Sequence, residues 1–170
     1  MLLREETKTL EITTSIGGDE SESRFRQNCA IAMWLLLGLF VLRVVGQMLV
    51  AFLGVSFLPP MAEWYSGLLS YPILLPVQWI IVALFTVICI DLSRGRGAFA
   101  RPNRRAGIVL AWVSVIYFAS MIARYVITMT VHPERRWFHD TIPIWFHMIL
   151  ASYLFIFSRY HLVMAKPVDG

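Results

Sequence analysis

Residues 29–58 read CAIAMWLLLGLFVLRVVGQMLVAFLGVSFL. Arg43 is the one charged residue in these thirty positions, and no acid accompanies it. An apolar run of about 18 or more residues with few charges reads as a transmembrane helix. At about 1.5 Å per residue this run outlasts a hydrocarbon core of about 30 Å, so it is expected to tilt or to project beyond the membrane. Its expected end is near Leu58, where Pro59 and Pro60 follow.

Working outward, the same pattern recurs three times. The expected spans are residues 73–90, 106–131 and 142–158. Pro76 falls in the first turn of the second expected span, where a missing N–H is tolerated. Thr141, Ile142 and Pro143 make an N-cap and a helix-compatible proline for the fourth. The fold expected is therefore an all-α integral membrane bundle of four transmembrane helices over residues 28–161. Residues 1–27 are polar and mixed in charge, with Gly17 and Gly18 among them, and are expected to form a disordered tail. They are too acidic for a transit peptide, and the apolar run behind them is too long for a signal peptide. Residues 162–170 are expected as a short C-terminal tail. Gly95, Gly97 and Pro102 argue against structure in the loop between the second and third spans.

The bulk composition agrees. The chain has 170 residues, 58% of them hydrophobic, with a mean hydropathy of +0.65. The formal net charge is +4, but the basic residues gather at helix ends and no nucleic-acid-binding motif is present. Of the 15 Lys and Arg residues, eleven lie in the N-terminal tail, the loop from Arg94 to Arg105 and the C-terminal tail. Arg135 and Arg136 lie on the other side, and two are intramembrane. The positive-inside rule then predicts cytoplasmic termini in a plasma or inner membrane. Trp64, Tyr65 and Tyr71, in and beside the first outer loop, suit the headgroup level. Cys29 and Cys89 fall near the cytoplasmic side and are expected to stay reduced.

Arg43 and Arg124 carry the functional lead, because charge inside the hydrocarbon normally faces the bundle interior or a water-filled cavity. From helical rise, Gln78, His147, Arg124, Gln47 and Arg43 fall about 8 to 18 Å below the outer surface, so each span contributes to one polar layer. Arg43 and Gln47 share a helix face at i and i+4. Tyr117, Ser120, Arg124 and Thr128 form a stripe on the third span. The expectation is a water-accessible cavity lined by Arg43, Gln47, Gln78, Tyr117, Arg124 and His147, with Glu134 and Asp140 as a lid closing onto Arg124. The structural alternatives are pairing with backbone carbonyls or Gln and Tyr side chains, or snorkelling of Arg124 toward those acids.

A guanidinium matches carboxylate and phosphate geometry. The expected ligand is thus small and anionic or amphipathic: a lipid, a quinone or a carboxylate. An accessory role beside a membrane-protein partner, or in a homo-oligomer, is the companion expectation. The alternatives are a small membrane enzyme acting on lipid or quinone with His147 as base beside Arg43 and Arg124, and an oligomeric transporter or haem-binding unit. His132, His139 and His147 match no compact metal motif, and only His147 is intramembrane, so neither metal nor haem is expected. No G-x-S-x-G, H-E-x-x-H or glycine-rich phosphate loop is present.

Overall fold

A computed structural model describes residues 2–60, 64, 71–131 and 142–165, with side chains described from residue 18 onward. The described chain is helical: α1 (Leu2–Leu53), α2 (Tyr71–Arg94), α3 (Arg104–Val131) and α4 (Ile142–Met164). All four hold a stretch long and apolar enough to cross a membrane, which in α1 is Gly18–Leu53. They form a four-helix bundle with the character of a membrane protein.

Neighbours run antiparallel, as two pairs of contacts show. Between α1 and α2, Trp34 meets Ser93 while Gln47 meets Gln78. Between α3 and α4, Asn103 at the start of α3 meets His161, while Tyr117 meets His147. The backbones approach closely between α1 and α2, α1 and α4, and α3 and α4. The helices are thus ordered α2–α1–α4–α3 across the bundle, and among the described residues the α3 backbone closely approaches that of α4 alone.

The core lies toward the end that carries the arginine-rich connection, hereafter the basic end. It gathers Cys29, Met33 and Leu37 from α1, Phe85, Cys89 and Leu92 from α2, and Tyr153, Phe157 and Tyr160 from α4. Phe85 and Tyr153 stack at 3.8 Å with their rings 4° apart. The Tyr153 hydroxyl donates to the Phe85 carbonyl at 2.8 Å and lies 3.3 Å from Cys89 Sγ. Both cysteines are buried free thiols. Between helices surrounded by lipid, cohesion of this kind comes from packing and hydrogen bonds, because lipid tails are as apolar as the side chains.

Three expectations are corrected. First, residues 1–27 were assigned to a disordered tail, yet α1 runs unbroken from Leu2. Arg24 Nη2 donates to Glu20 Oε1 at 2.5 Å, an i, i+4 pair that supports the helix. The apolar span supplies the nucleus, so each residue added before it needs only propagation. Second, α1 ends at Leu53 rather than near Leu58. Gly54 adopts φ 59° and its N–H donates to the Val50 carbonyl at 3.2 Å, a left-handed cap that halts the helix five residues before the prolines are reached.

Third, the loop from Gly95 to Asn103 is folded, not open. Gly95 (φ 61°) caps α2, and Gly97 (φ 112°) sits where a Cβ would collide with the Asp91 carboxylate. Asp91 Oδ2 accepts from the Phe99 N–H at 3.2 Å, and the Ala100 carbonyl accepts from the Tyr160 hydroxyl at 2.6 Å. Asn103 N-caps α3 through Oδ1, which accepts from Ala106 N–H at 3.1 Å, while its own N–H donates to His161 Nδ1 at 3.2 Å. This grip accompanies the extension of α4 to Met164, past its expected end at residue 158. Elsewhere, α2 opens at Tyr71, two residues before its expected start, which places Pro76 beyond the first turn.

Candidate functional site

The far end of the bundle, opposite the basic end, holds the polar residues. Helical phase puts Arg43 and Gln47 on the face of α1 that meets α2 and α4, and both are buried, at 8% and 0% exposure. Gln78 of α2 is buried as well, and its Nε2 donates to Gln47 Oε1 at 3.1 Å. Arg43 Nη2 donates to the Trp64 carbonyl at 3.2 Å, and its guanidinium carbon stands 5.5 Å from the centre of the Phe146 ring on α4. A cation over an aromatic face gains about 0.5–2 kcal/mol. Among the described residues no carboxylate pairs with Arg43.

Four buried atoms of this group have no hydrogen-bond partner among the described residues: Arg43 Nε, Gln47 Nε2, Gln78 Oε1 and Tyr71 Oη. Two of them are pure donors and one is a pure acceptor, while the phenol is either. The last lies within electrostatic reach of Arg43. Leaving such an atom unmatched costs about 1–3 kcal/mol. Four together approach a domain's net stability of roughly 5–15 kcal/mol. The Gln47–Gln78 pair is closed off from the surface, at 0% and 4% exposure.

Trp64 encloses the group. Expected at the headgroup level, it is instead 7% exposed and turned inward. Its Nε1 donates to the Pro59 carbonyl at 2.9 Å. Its ring lies against Gly46, where a Cβ would stand 3.0 Å from Cη2. Sequence reasoning missed Trp64, Tyr71 and Phe146 as members of this site. The available signal was Gly46 between Arg43 and Gln47, since a glycine on a polar helix face invites close approach.

On the other side of α4, the Tyr117 hydroxyl of α3 lies 2.5 Å from His147 Nδ1, with the rings edge to face. Arg124 is half-buried and forms no ion pair among the described residues. The six expected residues thus form two pairs and two cations around α4. Ser120 donates to the Tyr117 carbonyl at 2.7 Å. Glu134 and Asp140, the expected lid, lie outside the described residues, as do His132 and His139. Among the described residues, no three His, Cys, Asp or Glu side chains converge as a metal set would.

One turn along α4 from His147, a groove of ≈ 510 Å³ opens between α3 and α4, lined by Val115, Phe118, Ile122, Ala151, Phe155 and Ile156 among others. Its walls are apolar.

No protein-family model, characterised protein or solved structure matches this chain.

Proposed function

We propose that this is a multi-pass membrane protein that binds a small anionic or amphipathic ligand in the polar layer around Arg43. The observation that carries the reading is the unmatched set at the far end: among the described residues, a buried guanidinium with one carbonyl partner stands beside three further buried polar atoms that lack any. A carboxylate, a phosphate-bearing headgroup or a quinone carbonyl supplies acceptors for Arg43 Nε and Gln47 Nε2. A hydroxyl on the same molecule satisfies Gln78 Oε1. Trp64 is the cover that must move for entry. The charge asymmetry gives cytoplasmic termini, which puts this layer in the outer leaflet. A single cysteine introduced at exposed Ala98 then reacts with an impermeant reagent only from the cytoplasmic side.

The test is mass spectrometry of small molecules that co-purify with the protein in mild detergent. The expected result is a compound with an acidic or carbonyl group on the wild type, reduced about tenfold or more in Arg43→Gln, because a hydrogen bond to a charged group contributes about 1.5–3 kcal/mol. Equal retention by both proteins, or none by either, contradicts the proposal.

A second reading rests on the Tyr117–His147 bond. A histidine held by a phenol and flanked by two cations is a candidate base for chemistry on a lipid or quinone. Under that reading the co-purified compound is converted on incubation, and His147→Gln stops conversion while leaving the compound bound.

A further inference from the structure

A second groove, of ≈ 410 Å³, lies at the basic end between α1 and the end of α2. Ser23, Arg26, Gln27 and Ser93 line its polar part, and Ile31 and Trp34 line its apolar part. The order along α1 is the informative feature. From Arg26 to Trp34 the lining changes from charged to aromatic over about 12 Å of helix. Beyond Trp34, Leu35, Leu39 and Leu42 are all exposed, so the surface below the groove is hydrocarbon-facing. The groove therefore spans the depth at which a phospholipid changes from headgroup to acyl chain.

The walls are fixed. Trp34 Nε1 donates to Ser93 Oγ at 3.0 Å, and Ser93 in turn donates to the Cys89 carbonyl at 2.7 Å. The Arg26 guanidinium packs against Gly95, at a position where any Cβ would displace it. Arg26 is half-buried and has no ion pair among the described residues, whereas neighbouring Arg24 is paired with Glu20. Arg94, the last residue of α2, and Arg96, just past it, stand exposed and add positive potential. Glu22 and Asp19 line a separate cleft on the other flank of Arg26, and Asp91 is occupied by the Phe99 N–H.

We propose that this groove binds one anionic phospholipid from the adjoining leaflet. Arg26 donates to the phosphodiester oxygens in the charge-assisted geometry that guanidinium favours. Ser23 and Gln27 meet the hydroxyls of a glycerol-type headgroup, and one acyl chain lies along Ile31 and the Trp34 ring. Polybasic clusters attract anionic lipid diffusely. This groove instead offers a defined seat, and it is independent of the Arg43 site.

The experiment uses the full chain in detergent, titrated separately with phosphatidylglycerol, with phosphatidylcholine of the same acyl chains and with inorganic phosphate, and read by native mass spectrometry. The expected result is one phosphatidylglycerol retained about tenfold more strongly than phosphatidylcholine. Arg26→Gln should remove that preference, while Arg159→Gln, an exposed cation outside the groove, and Arg43→Gln should keep it. Ile31→Trp fills the groove from an exposed position, so it should cut retention even if Arg26→Gln fails to fold. Equal retention of the two lipids by the wild type, unchanged retention in Arg26→Gln or in Ile31→Trp, or displacement of the lipid by inorganic phosphate would each overturn the proposal.

Discussion

The two ends of this bundle treat their buried polar groups in opposite ways. At the basic end, Asp91, Asn103, Tyr160 and His161 all find partners, and together they tie the loop from Gly95 to Asn103 onto α2 and α4. Ser158 Oγ is the one atom there without one among the described residues. At the far end, Arg43, Gln47, Gln78 and Tyr71 each keep a buried atom unmatched among the described residues. Tyr160 and His161 are as buried as Gln47 and Gln78, while Asp91 is half-buried and Asn103 exposed. A satisfied network rigidifies a structure, and an unsatisfied one stores a demand for a partner. The basic end holds its shape through these partners, and under the proposed function a ligand supplies them at the far end.

The largest expected effect is at the basic end. Gly97→Ala places a Cβ against the Asp91 carboxylate at a left-handed φ, and should destabilise by about 3 kcal/mol. Its thermal unfolding midpoint in detergent should fall accordingly. Asp91→Ala should cost about 2 kcal/mol by the same measurement, since it removes a charged acceptor from the Phe99 N–H. If neither variant loses stability, the contrast between the ends collapses.

At the far end, Gly46→Ala should cost about 1 kcal/mol as Trp64 is pushed from its seat. Unchanged stability with altered ligand retention would sharpen the account, by identifying Trp64 as a movable cover. The smallest effect is Tyr117→Phe. Loss of its bond to His147 should cost about 0.6 kcal/mol, near the average for interhelical hydrogen bonds in membranes.

Hydropathy made the four spans legible because a transmembrane helix is a local property: length and apolar content decide it. The position of α3 and the fourth start at Ile142 followed from such local signals. What the sequence hid was set by distant contacts. The fold of the loop depends on Tyr160 and His161, some sixty positions away in the chain. Asn103, which caps α3, is an N-cap residue type, a local sign of order that Gly95, Gly97 and Pro102 outweighed. The early stop of α1 at Gly54 was overshadowed by the louder Pro59–Pro60 pair. The inward turn of Trp64 opposed the usual preference of tryptophan for the interface. The polar layer was half legible. Spacing placed Arg43 with Gln47, but the lateral order of helices, which puts Tyr117 and His147 across α4 from the glutamine pair, is not encoded in any one segment.

The unmatched state of the far end is tested most directly by the double variant Gln47→Leu/Gln78→Leu, compared with wild type in delipidated form by thermal unfolding. Replacing both partners with apolar groups of similar shape removes two orphaned atoms, so the variant should be more stable than wild type by about 1–3 kcal/mol. A double variant that is less stable than wild type would mean that the amide pair is already complete, and that the far end awaits no partner.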